Sequence, residues 1–546
     1  MQQLEVESAG SPMRRLLGDD RPQDIVKIVG AVVGFTILDR LISAASSLEA
    51  DDGEQAVLIA AATLRNLLPT IALIVVVGVV VAMGGPRARA GWRSMDQGEV
   101  WRWMVIPWIT TLAWYATTAD YNFMLGQWHT FDRLLIVAMA VAAVAHPLLL
   151  VPFVFQLQVV ASQHQLTFGS SPSAGVDRLA VVAILVVATT FLFVVASGED
   201  DTSPGLLLLG MAVAAHFFAP GRTKIAIDWL TANELFHFAH SSYTTGWRGD
   251  GDGSWADTVA SVLRTFKWPV MIGTLVIEVG AAISVFHRKL LRWFLPGWIL
   301  LHVGIFITSG FWLFAWVLVE LGLLIVLWRP DLRAWAARND TVARGAIAVF
   351  VVGIGWSLFS PPRLAWLDAP VSYGYEIEAI GESGATFHVP LDEFGPLQGD
   401  FSFLFAQFTA DRLVVRGYGA VDLPGLHDRL KAVEDIDELR AIERSFDPVP
   451  DSVRSTSERI VTRWVDRVND AGAEPWFLIS PPSRYWVDRP APVYDRSERI
   501  ESVEVVLVRS VHDVGPSFER ETVLRVEVDS SGRAVVVERA GEIPDE

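Results

Sequence analysis

HFFAPGRTKIAIDW, residues 216–229, sets Pro220, Gly221, Arg222, Lys224 and Asp228 where an apolar run should simply continue or stop. Charge within or at the lip of a hydrocarbon layer is costly, so such residues are functional candidates or paired structural ones. Only five of the 44 basic residues are lysine: Lys27, Lys224, Lys267, Lys289 and Lys431. A chain that otherwise uses arginine has a lysine here, and arginine, with its very high pKa, does not lend itself to proton transfer.

Outward from this stretch, the 546 residues are 51% hydrophobic with 21 Trp, too apolar for an ordinary soluble protein. Apolar runs occupy roughly residues 25–45, 67–83, 103–118, 134–156, 179–196, 206–219, 268–286, 291–308, 311–328 and 345–359. Each approaches the roughly 17–25 residues of a spanning helix, the third and last being short. The expected fold is a polytopic α-helical membrane protein of about 10–11 spans with a C-terminal extracytoplasmic α+β domain. Its divisions are a cytoplasmic segment 1–24, a transmembrane domain 25–359 and an acidic domain 360–546. No cleavage site follows the first run, so it reads as an uncleaved anchor in the cell membrane.

Orientation follows from Lys and Arg in short loops. Arg87, Arg89 and Arg93, then Arg288, Lys289 and Arg292, then Arg329, Arg333, Arg338 and Arg344 form basic clusters, whereas 49–54, 199–201 and 249–257 carry no basic residue. With a cytoplasmic N-terminus these loops fall on the expected sides only if the semi-polar segment 225–243 crosses the bilayer. That gives about eleven crossings and an exterior C-terminal domain. His146-Pro147 marks a kink within the fourth run.

Beyond Pro361-Pro362 the chain holds 20 basic and 35 acidic residues between Ser360 and Glu546. Acidic surface with few lysines is the style of halophilic proteins kept soluble in high salt, and it excludes nucleic acid as a partner because nothing neutralises phosphate. Residues 373–380 and 385–390 flank a GESG hairpin signal, 401–418 reads as strand, 424–446 and 452–471 as amphipathic helices, and 503–511 and 523–540 as strands. The chain has no cysteine, so disulfides and thiolate chemistry are excluded. It also lacks a phosphate-binding glycine loop, a nucleophile elbow and a haem attachment motif.

GRTKIAIDW, preceded by HFFAP, resembles the corresponding stretch of vitamin K-dependent gamma-carboxylases and related horizontally transferred transmembrane (HTTM) domain proteins. Gly221, Lys224, Asp228 and Trp229 match the spacing of that family's glycine, lysine and Asp-Trp pair. Glu278 in GTLVIEVG is similar to its next acidic residue, and His302 before GIFITSGFWLFAW to its histidine-glycine-aromatic helix. Thr223 and Ala226 depart from the vertebrate pattern, as does the spacing from His302 to Gly310. The resemblance covers 24–328 and implies a lyase or quinol-dependent oxidase. In it Lys224 deprotonates a reduced, lipid-soluble quinone (menaquinol or a vitamin K-like quinol) whose reaction with oxygen yields a stronger base. It also implies an extracellular protein substrate. A lysine base needs surroundings that favour the neutral amine, and burial in a low dielectric provides them.

His216 and His302 join Lys224 as catalytic candidates; Asp228, Trp229, His240 and Glu278 are candidates for holding the quinol. Two plainer readings stay open for Lys224. It can pair with Asp228 four residues on, seating a helix end, or it and Arg222 can be positive-inside loop residues. His216 and His302 can equally be helix–helix hydrogen bonds, and Glu278 a partner for Arg or His. Glu234-x-x-His237-x-x-His240 has half of a di-iron pattern but no second motif, so a polar face is the plainer account and no metal is expected. A non-catalytic, membrane-anchored binding or envelope protein is the alternative function. A transporter is a third, without the matching broken helices such folds use.

Overall fold

The computed structural model describes residues 22–48, 57–93, 97–118, 130–168, 178–247, 254–311, 313–361, 367–391, 393–394, 408–409, 412–415, 419–421, 423–471, 491–512 and 516–539. The segment 1–21, the acidic loop 49–54 and most of 401–418 lie outside them.

The N-terminal part is helical: α1 Pro22–Ser46, α2 Leu58–Arg65, α3 Leu67–Arg93, α4 Gln97–Thr118, α5 Thr130–Ala145, α6 Leu150–Phe168, α7 Arg178–Ser197 and α8 Ser203–Ala226. After these come α9 His237–Thr244, α10 Ser254–Thr265, α11 Lys267–Val279, α12 Arg288–Ser309, α13 Phe314–Trp328 and α14 Val342–Gly353. A helix that is apolar all round must be covered all round or face lipid. α7 takes the first course, with nearly every side chain from Leu179 to Phe191 buried. α3, comparably apolar, leaves most of its side chains uncovered and buries only five residues. By length and composition α3, α7, α8 and α12 can each cross a membrane, and α10 with α11 makes a fifth candidate bent by 76°.

Two ends of the bundle are distinguishable by their ties. At one, Lys27 bonds Glu199, Arg338 meets Asp201 at 2.9 Å and Arg344 meets Asp24 at 3.3 Å. At the other, Arg178 holds Asp39 through two hydrogen bonds of 2.9 and 2.8 Å and donates a third to the carbonyl of Phe359. The loop 199–201 thus lies at the end with the basic clusters, not at the opposite end.

Two further expectations change. The run 134–156 is two helices, because His146 is extended, its ring accepts from the N–H of Leu148, and Pro147 opens a new turn. Conversely, 225–243 is no span. α8 runs unbroken through Pro220 to Ala226, Asp228 then adopts a left-handed φ of 53°, and a single turn at Trp229–Ala232 precedes the eight-residue α9. The polar stretch is therefore the last two turns of α8 and its exit, not a break in the membrane.

The C-terminal part is an antiparallel sheet of five strands in the order β3-β2-β5-β6-β7: β2 Val371–Gly381, β3 Thr386–Val389, β5 Ile500–His512, β6 Pro516–Val528 and β7 Ala534–Arg539. A two-stranded pair, β1 Leu367–Asp368 and β4 Ala420–Val421, lies beside it. The GESG turn does join β2 to β3. The helices α15 Pro424–Lys431, α16 Ile436–Glu443 and α17 Asp451–Ala471 follow β4; Leu430, Leu439, Ile460 and Trp464 enter one core with Tyr373, Val505 and Leu507. Ile227 and Ala232, from the exit of α8, pack on that same core.

α12 ends at Gly310, whose φ of +68° suits glycine and whose N–H bonds the carbonyl of Phe306 at 2.8 Å. A Cβ there would meet the Trp247 ring at 2.4 Å. Gly310→Ala should lower the unfolding free energy by more than about 1 kcal/mol, read as a drop in melting temperature in detergent.

Candidate functional site

α8 and α11 lie in tight contact at Gly221, where a Cβ would lie 2.8 Å from Cβ of Glu278 and 2.9 Å from the Val279 nitrogen. One turn further along α8, that approach brings Lys224 alongside Glu278. The Lys224 ammonium donates to both carboxylate oxygens at 2.7 Å, and both residues are 5% exposed. Nζ also lies 5.4 Å from the centre of the Trp229 ring. The indole of Trp298 donates to the carbonyl of Ile277 at 3.1 Å, fixing α12 against α11 beside Glu278.

Deeper in the bundle stands a second acid–base pair. His302 on α12 lies within charge range of Glu278, and its Nδ1 is 3.0 Å from Oε1 of Glu320 on α13. The distance is that of a hydrogen bond, but the N–H is not aligned with the oxygen, and neither Glu320 oxygen has an aligned donor. Glu320 is fully buried.

Aromatic rings enclose the pair. Phe217 stacks on Trp298 at 4.4 Å and tilts against His302 at 5.2 Å, and Trp316 presents an edge-on contact to both His216 and His302. His216 Nδ1 must carry a proton, since it lies 2.8 Å from the Ala212 carbonyl, which can only accept. Its Nε2 is then a buried lone pair without a partner.

The structure thus gathers five of the seven candidates, Lys224, Glu278, Trp229, His302 and His216, in one buried run along α8, from its exit at Trp229 inward to His216, facing α11, α12 and α13. Asp228 is not among them. It is exposed, lies beyond the end of α8, and leaves Lys224 to a partner 54 residues away instead of four. Lys224 is no loop residue either. Glu320 was missed by sequence reasoning, although an acid midway through FAWVLVELGLLIVLW is a signal on its own terms.

His240 belongs elsewhere, to a network that fastens α9 to the sheet. Its ring stacks on His512 at 4.8 Å, and its Nε2 is 3.6 Å from Asp257. The hydroxyls of Thr244, Ser372 and Ser510 lie within 2.7–2.9 Å of one another, and His512 Nε2 is 3.0 Å from Ser510 and 3.2 Å from Thr244. Glu234 instead pairs with Lys267 at 2.9 Å, so the Glu-x-x-His-x-x-His spacing does not converge. No protein-family model, curated protein or solved structure matches this chain.

Burial, reinforced by the neighbouring histidine charges, lowers His237 from 6.5 to about 3 and His512 well below its ordinary value; burial also lowers His240. A histidine held below its unfolded value binds fewer protons when folded, so its contribution is complete above about 6.5 and declines as pH falls toward the folded value. The melting temperature should therefore fall with acidification below about 6.5, and less so in His237→Phe/His512→Phe. A second prediction concerns the helix approach. Gly221→Ala should cost about 1–3 kcal/mol in unfolding free energy by overpacking; Gly273→Ala, whose new Cβ meets nothing within 4 Å, should escape that overpacking cost.

Proposed function

We propose that this chain is a multi-pass membrane enzyme that removes a proton from a lipid-soluble reduced quinone, with Lys224 and Glu278 as the proton-accepting pair. The single observation that carries the reading is the buried Lys224–Glu278 pair beside His302 and Glu320 among aromatic rings. Ionisable residues at such depth are expensive to keep without a use. In this reading Lys224 first passes a proton to Glu278 across a 2.7 Å bond, leaving an amine and a carboxylic acid that together carry no charge. The amine nitrogen then takes the proton of a quinol hydroxyl, and Phe217, Trp298 and Trp316 make the apolar surroundings that favour the neutral pair. Oxygen is the co-reactant that turns the quinolate into an epoxide and a stronger base, as the likeness to the gamma-carboxylases implies.

The topology that goes with this reading has eleven crossings: α1, α3, α4, α5, α6, α7, α8, α10 with α11, α12, α13 and α14. The extra crossing at His146-Pro147 replaces the one expected over 225–243, so the parity is unchanged. Arg87, Arg288, Arg338 and Arg344 gather at the end away from the sheet, which the positive-inside rule places in the cytoplasm. The C-terminal domain is then exterior.

The two-oxygen grip on Lys224 favours a second, non-catalytic reading, in which the pair only ties α8 to α11 and the exterior domain binds a partner. One set of variants separates the two. With menaquinol and oxygen in lipid nanodiscs, Lys224→Met and Lys224→Arg should both lose epoxidation by roughly a hundredfold or more, while Lys224→Arg retains the wild-type melting temperature. Epoxidation by Lys224→Met at the wild-type rate would refute the enzyme reading.

A further inference from the structure

We infer that Glu320 is the proton store of this site, reached through His302, and that it resets the Lys224–Glu278 pair after each proton is taken up. The inference rests on the proton-removing reading of the site and adds where the proton goes.

A pair that has accepted a proton from a substrate cannot act again until that proton leaves. Lys224 is walled in on the sides described: Glu278 holds its ammonium, Trp229 covers it, and Gly221 leaves no space between α8 and α11. Besides Lys224, the charge that acts on Glu278 is that of His302, whose ring lies against Phe217, itself stacked on the Trp298 that bonds the carbonyl of Ile277. An imidazole has two ring nitrogens, so it can accept a proton at one and release another from the second. His302 Nδ1 is 3.0 Å from Glu320 Oε1, within hydrogen-bond distance. The transfer balances without any co-reactant. Glu278 loses a proton to one nitrogen of His302, Nδ1 gives its proton to Glu320, and the ring ends neutral in its other tautomer; both transfers reverse when epoxidation releases hydroxide, which takes the stored proton as water before the next cycle.

Glu320 is suited to receive it because its carboxylate has lone pairs to spare. Both oxygens are buried without an aligned donor, whereas a carboxylate kept for structure is ordinarily hydrogen-bonded at both. Asp132 provides the contrast within this chain. Equally buried, it accepts from the N–H groups of Leu58 and Ile59 and from Gln156, all within 3.0 Å.

The other neighbours of α13 supply no competing charge at this level among the described residues. α4 places Trp108 and Met104 against Gly322, with Glu99 and Arg102 in its first two turns and Tyr115 near its far end. α7 has Arg178 alone, at its first residue. Across Trp316 stands His216, whose Nδ1 is committed to Ala212. Beyond the end of α13, Arg329 and Asp331 pair with each other.

The test uses the full chain in lipid nanodiscs and reads the carboxylic-acid carbonyl stretch by infrared difference spectroscopy against pH, first without quinol. The wild type should show a buried-carboxyl band that titrates; Glu320→Gln should lack it, and Glu320→Asp should restore it at a shifted frequency. In His302→Phe the band should persist but stop responding to Lys224→Met. With menaquinol present, Glu320→Gln should keep its first turnover and lose steady-state epoxidation by roughly a hundredfold. An unchanged band in Glu320→Gln, or unchanged steady-state turnover, overturns the inference. If the wild type does not epoxidise menaquinol at all, the enzyme reading fails by itself, and the band alone decides whether Glu320 stores a proton.

Discussion

An ammonium taken out of water must be met by an anion, and the pairing of Lys224 with Glu278 is the constraint from which the local architecture follows. Removing one partner from such a buried pair typically costs about 3–5 kcal/mol, because the other charge is stranded. The carboxylate must therefore be brought to the lysine, and Gly221 permits this by letting α11 lie against the backbone of α8. Trp298 then pins the last turn of α11 through Ile277, and Phe217 stacks on the same indole. One charge pair thereby sets the mutual position of three helices, and with it the placement of His302 on the third.

What the sequence made legible was the chemistry held in individual residues. Rarity of lysine singled out Lys224, nearness to it His216, and the likeness to the gamma-carboxylases Glu278 and His302. What it could not supply was partnership. Asp228 is at the right offset for an i,i+4 pair, but such an offset counts only while the helix continues, and here it ends two residues earlier, at Ala226. The same limit misjudged 225–243, a semi-polar segment of suitable length whose continuity fails at Asp228 and again at Leu235, both with positive φ. At His146-Pro147 the sequence marks a kink, and the structure makes that kink a boundary between two helices. Hydropathy records what a segment tolerates around it; turns within the segment are set by a few backbone angles that composition does not register.

The sheet domain was easier to read, because alternation and the GESG turn are local signals. Its contact with the helices was not. Ile227 and Ala232 from the exit of α8 reach its core, Lys431 bonds the carbonyl of Ala232, and Asn233 bonds the backbone N–H of Asp368. None of these pairs lies within reach of a periodicity argument, since each joins residues more than a hundred positions apart.

That contact also orders events during synthesis. The exit of α8 leaves the ribosome long before β5, which brings Ser510 and His512 to the hydroxyl network of α9. Until those last strands are made, the segment from Ile227 to Thr244 has no sheet to lie on, and its polar face must be kept hydrated or escorted. The helices can be inserted one after another, but the end of α8 next to Lys224 acquires its final surroundings only when nearly the whole polypeptide has been translated.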